Sequence, residues 1–172
     1  MDTYEPMDTP ARMKPLRLRA LTPGEIALAQ EVFGAGLRAA PVRLLALPIW
    51  RRAFAAGPRL LVFPTAFAAT DFSVEPLALQ GLFVHELTHV WQAQNGVGLI
   101  RAKLKAGDGP AAYAYDLHAG PPFGELNIEQ QAMVVQHAFL AKRGRKTPHA
   151  PRAYGVYLAG WVGDRADKPW KV

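Results

Sequence analysis

The sequence predicts a mixed α+β fold, a small sheet packed on two long helices. Three observations carry this reading. "VRLLAL" (residues 42–47) and "RLLVF" (59–63) are runs rich in branched residues, bounded by Pro and Gly, and read as strands. The stretch from Glu75 to Asn95 has helical apolar periodicity and is closed by Gly96. Asn127 followed by Gln130 repeats a capping-box pattern and opens a second helix, "IEQQAMVVQHAFLAKRG", which Gly144 ends.

Composition bounds the rest. At 172 residues the chain suits one domain with its own core, assigned to residues 21–172. The first 20 residues carry Pro6, Pro10 and Pro15 and no apolar stretch of the signal-peptide kind, so they read as a flexible arm. No apolar run reaches membrane-spanning length, so no membrane insertion is expected. These features suggest a cytoplasmic protein, or one exported by a route that needs no signal peptide. Zero cysteines exclude disulfides, thiolate metal ligands and cysteine nucleophiles together. Any metal must be held by nitrogen and oxygen. A net charge of +6 and a pI near 9.8 raise nucleic acid as a partner. The positives are dispersed, with small groups at Arg51–Arg52 and "KRGRK" (142–146), so solvated surface is the better reading.

The elements follow in order. Thr22, Pro23 and Glu25 form the N-terminal signature of a first helix, with Ile26, Ala29, Gln30 and Phe33 on one face and Gly34 as its stop. The two branched runs then form a hairpin or neighbouring strands. "PTAFAATDFS" reads as irregular chain or an edge strand, since Pro64 argues against a central one. After the helix ending at Asn95 comes a short helix over 97–105, then a Gly/Pro-broken loop that carries Tyr113, Tyr115 and His118. The final 25 residues are too rich in Pro and Gly to assign.

The helix over 75–95 contains "HELTHVWQ", and its geometry points to chemistry. At 100° per residue from His85, His89 falls at about 40°, Gln92 at about 340° and Glu86 at about 100°. Phe83, Val84, Leu87, Val90 and Trp91 occupy the opposite arc, and Leu82 is the one apolar residue among the polar ones. Histidines at i and i+4 bring two imidazole nitrogens to one ion. The intervening Glu86 is placed beside the ion, within reach of a water on it, and serves as a general base. This is the zincin pattern, with one Zn²⁺ per chain.

A third ligand is then required. The metzincin spacing fails, because residue 95 is Asn rather than His. A carboxylate on a later helix, the gluzincin arrangement, remains. Glu129 in the first turn of "IEQQA" is the favoured ligand, Glu125 the alternative, with Asp108 and Asp116 the other acids available.

"HELTHVWQ", with "LTPGEIALAQEVFG", "EPLALQGLFVHE" and the downstream "YDL…G…F…ELNIEQQA", resembles a small bacterial family of Vgr-related proteins. It is more distantly similar to zincin-like domains of unknown function that carry HELTHVxQ. The resemblance spans roughly residues 20 to 140. It implies a zincin-like fold with His85, His89 and Glu129 as ligands and Glu86 as base, and a link to type VI secretion or phage-tail-like injection machinery.

Supporting roles are open to a few residues. Tyr113, Tyr115 and His118 are candidates to stabilise a developing oxyanion, and Gln92 to bond a ligand or line the cleft. The leading expectation is zinc-dependent peptide-bond hydrolysis on a peptide or protein substrate. The alternative is a zincin-like binding module that serves a secretion system and cleaves nothing.

Overall fold

The computed structural model describes residues 11–159 and 161. Four strands, β1 (Leu18–Ala20), β2 (Arg43–Leu47), β3 (Phe54–Ala55) and β4 (Leu60–Pro64), form one sheet in the order β1-β2-β4-β3. The branched runs are β2 and β4. They are neighbours but parallel, in the register Leu44↔Leu61 and Ala46↔Phe63. A two-strand hairpin between them is therefore excluded, because a parallel pair needs a crossover. Residues 48–59 make it and lay β3 antiparallel on the far side of β4, as an edge strand that no sequence signal marked.

The segment expected to be a free arm enters the fold. β1 pairs with β2, and Arg12 bridges Ala69. Met13 is buried, its N–H donating to Ala68 O at 2.8 Å, and the Arg12 guanidinium forks onto the buried carboxylate of Glu75. The boundary at residue 20 is thus corrected for residues 11–20; residues 1–10 lie outside the described residues. Three-residue β1 has no periodicity of its own to read, and β2 imposes its extended form.

Helix α1 (Pro23–Phe33) carries the expected capping box between Thr22 and Glu25. Glu25 does more than cap. Its buried carboxylate accepts from both Arg19 terminal nitrogens at 2.7 Å, from Thr22 N–H and from Phe72 N–H at 2.8 Å. Charge and lone pairs are both satisfied, so the burial is tolerated. "PTAFAATDFS" is turn rather than strand beyond Pro64, ending in a 3₁₀ turn at Phe72–Val74. Phe72 stacks on Phe83 at 4.8 Å between ring centres and tilts against Phe63 at 4.6 Å, linking sheet to helix. Each such ring contributes about 1.5–3 kcal/mol by leaving water.

Helix α2 (Leu77–Gln94) is the histidine helix and α4 (Ile128–Lys142) the glutamate helix. Phe83, Val84, Leu87 and Val90 are buried among the core residues, as the arc predicts. The polar arc is covered too, since α4 packs along α2. Gly81 permits the approach: a methyl there would lie 3.1 Å from a Leu140 methyl. Helix α3 (Leu99–Ala106) and helix α5 (Pro151–Leu158), the latter within the unassigned C-terminal stretch, complete the set. Lys142 and Arg143 of the basic "KRGRK" run pair with Glu31. Among the described residues no helix is long and apolar enough to cross a membrane.

Candidate metal centre

The α2–α4 contact brings His85, His89 and Glu129 together, all buried. Glu129 Oε2 lies 3.4 Å from His85 Nε2 and 3.5 Å from His89 Nε2. One donor atom from each residue falls within 4.8 Å of the others. Ligands at about 2.1 Å from a tetrahedral ion are separated by roughly 3.4 Å, so this donor set fits such an ion.

The far ring nitrogens are occupied. His89 Nδ1 is 2.8 Å from Gln92 Oε1, and His85 Nδ1 is 3.0 Å from Gln136 Oε1. Gln92 Nε2 donates to Ile128 O and Gln131 Oε1, so its Oε1 must accept and His89 Nδ1 carries the proton. The Nε2 lone pair is thereby left for the cluster, as ligand histidines require. Gln136 was missed in the sequence, although it follows Glu129 by two helical turns and so shares its face.

Charge is concentrated here. Burial pushes the Glu129 carboxyl up, but hydrogen bonds with His85, His89 and Lys103 outweigh it and hold the group below the usual range. Burial pushes His89 down, and Glu129 and Glu86 more than reverse that. Glu86 is raised, chiefly by burial, with the two histidines pulling the other way. Only 5% of it is exposed, and its Oε2 has no hydrogen-bond partner among the described residues. A buried carboxylate oxygen without a donor points to a group that belongs in the adjoining space.

That space is a cleft of about 420 Å³ over the cluster. His85, Glu86, His89 and Glu129 line it, with Trp50, the stretch from Arg52 to Ala55, residues of α3, and Tyr113. Lys103 of α3, also missed in the sequence, donates to Glu129 Oε1 at 2.8 Å and to Tyr113 OH at 2.9 Å. These partners, with Asp108, hold its ammonium pKa above the ordinary value although burial works against them.

The remaining candidates separate by position. Tyr113 lines the cleft, whereas Tyr115 and His118 are not among its lining residues. Tyr115 OH bonds His137 Nδ1 and Tyr154 OH, each at 2.7 Å. The His118 ring packs against His149. Asp116 accepts the His118 and Ala119 N–H groups, and Asp108 pairs with Lys103 at the cleft. Glu125 is exposed and lines a different depression, with Trp91, Val97 and Gln131.

Fold and site together define an α+β protein whose two packed helices present a buried His–His–Glu cluster with a further acid beside it. No family profile matches the chain. It is 39% identical over 136 residues to the type VI secretion system spike protein VgrG2b of Pseudomonas aeruginosa, across 72% of this chain and 13% of that protein. The chain thus spans a small part of that relative's length. The solved effector domain of Pseudomonas aeruginosa VgrG2b matches with a TM-score of 0.64 and 34% identity, covering 83% of this chain and 82% of that one. The chain belongs to the family of the VgrG2b effector domain.

Proposed function

We propose that the chain is a zinc-dependent peptidase of zincin-like, gluzincin-type architecture, and that it acts as an effector associated with a type VI secretion spike. The observation that carries the catalytic half is Glu86: a buried carboxylate with a free oxygen, beside a three-ligand cluster, at the base of a cleft. A site that only stabilised the fold would close four ligands and have no use for this base. The nitrogen and oxygen donors suit zinc better than calcium or magnesium. The second half rests on the likeness to a spike protein and its effector domain. Export without a signal peptide follows from the same reading.

His85, His89 and Glu129 would hold the ion, and Gln92 and Gln136 orient the imidazoles. When bound, zinc supplies Lewis-acid charge that lowers the pKa of water and polarises a carbonyl. Glu86 takes a proton from the water that attacks the scissile carbonyl carbon. As the C–N bond breaks, Glu86 returns that proton to the leaving amine. Tyr113, whose hydroxyl accepts from Lys103 and so keeps its own O–H to give, supplies a donor for the carbonyl oxygen where negative charge develops, with the Lys103 charge beside it.

Glu86→Gln is the decisive variant. It should keep one zinc per chain by elemental analysis, while cleavage of an unfolded protein, read by mass spectrometry, falls at least ~10²-fold. The second reading, a binding module without hydrolysis, is favoured by the relation to a spike protein. It gains the field if wild type and variant are equally inert yet bind a secretion-system component equally well.

A further inference from the structure

Helix α3 contains no buried residue, yet three of its large aliphatic side chains, Leu99, Ile100 and Leu104, line the cleft. Ile100 is 82% exposed and Leu104, one turn on, is 79% exposed. Trp50, half exposed, lines the same cleft, with its ring tilted against Phe54 at 5.6 Å between centres. Apolar groups this open are ordinary when scattered singly. Here they share one cleft with His85, Glu86 and Glu129.

The cleft lining also has a backbone component. Ala56 N–H donates to Leu60 O at 2.8 Å, which makes Phe54↔Val62 the next hydrogen-bonded pair and Ala55↔Leu61 a non-bonded one. Ala55 therefore turns its N–H and C=O away from β4, along the free edge of the sheet, and Ala53 to Ala55 line the cleft. An unpaired edge of this kind accepts an extended main chain.

We propose that the cleft selects an extended polypeptide segment with large apolar side chains beside the bond over the His85–His89–Glu129 cluster, held by the apolar lining that Ile100, Leu104, Trp50 and Phe54 provide. The assignment of a scissile bond rests on the peptidase reading; the side-chain selectivity does not.

The test uses the full chain and two octapeptides, one with Leu-Leu and one with Ala-Ala at its centre in an otherwise identical sequence. Binding to the zinc-loaded Glu86→Gln protein is measured by calorimetry, which requires no turnover. The leucine peptide should bind at least ~10-fold tighter, the scale on which an apolar pocket discriminates side chains. Adding Ile100→Ser with Leu104→Ser should erase that difference, and because both residues are exposed the circular dichroism spectrum should not change. Equal binding of the two peptides, or a preference that survives the double substitution, overturns the proposal. So does a dimer that dissociates in the double variant, which would assign these side chains to a second copy of the chain. Cleavage sites are mapped in parallel. Glu86-dependent cleavage without apolar preference at the sites sinks the selectivity and keeps the peptidase. Leucine-selective binding with no cleavage by wild type keeps the selectivity and sinks the peptidase.

Discussion

Gln92 Oε1 lies 2.8 Å from His89 Nδ1, while the same amide's Nε2 donates to Ile128 O at 3.0 Å and to Gln131 Oε1 at 2.9 Å. One fully buried side chain thus ties a histidine of α2 to the first turn of α4, where Glu129 sits. The position of His89 against α4 and its tautomer are set by the same three bonds.

Gln92→Leu should therefore impair both stability and metal binding. It leaves Gln131 Oε1 and His89 Nδ1 without their partner in a buried setting, at a cost of about 2–4 kcal/mol. Zinc affinity should fall roughly 10–100-fold, as for other groups that orient a ligand histidine. Thermal unfolding of the metal-free protein and competition against a chelator measure the two effects separately. Gln92→Glu restores an acceptor for His89 and should recover affinity more than stability.

Glu86 imposes a pH-dependent cost on the metal-free protein. Its folded-state pKa is raised by burial, so the native state keeps a proton that the unfolded chain releases. The contribution to stability is complete below the unfolded pKa, about 4.3, and is lost as pH rises through the higher folded value. Metal-free Glu86→Gln should consequently melt higher than wild type at neutral pH, by roughly a few degrees, with the gap closing as the pH falls toward 4. A gap that widens on acidification would contradict the direction of the shift.

Truncation at Leu21 should destabilise the protein. It removes β1 from β2, the buried Met13 and the Arg12 fork onto Glu75. The loss of Met13 alone is worth about 2–5 kcal/mol, enough for a fall of roughly 10 °C in Tm. Arg12→Ala within the full chain should reproduce part of it, because Glu75 then remains buried without its counter-charge. Calorimetry of the three proteins provides the comparison.

The features legible in the sequence are those written in short, regular spacing. The capping boxes Thr22/Glu25 and Asn127/Gln130 are present as read, because four consecutive residues suffice to specify each. The His85/His89 pair and the opposite apolar arc follow from the helical repeat alone, so two donors on one face were settled before any packing was considered. Gln92 belongs to the same group, one turn from His89.

What local spacing could not supply is every relation across the chain. β1 and β3 are too short to show a period and take their form from β2 and β4. Glu129 rather than Glu125 meets the histidines because α4 lies against α2, with Gly81 facing Leu140, 59 positions away, at the contact. Lys103 joins Glu129 only because α3 folds back over the cleft. A helix repeats every 3.6 residues and so declares its own faces, but which faces meet is decided by burial summed over the whole chain. Residues 75–95 alone determined the two histidines and their glutamate; the meeting with Glu129 and the cleft over the cluster were decided by tertiary packing.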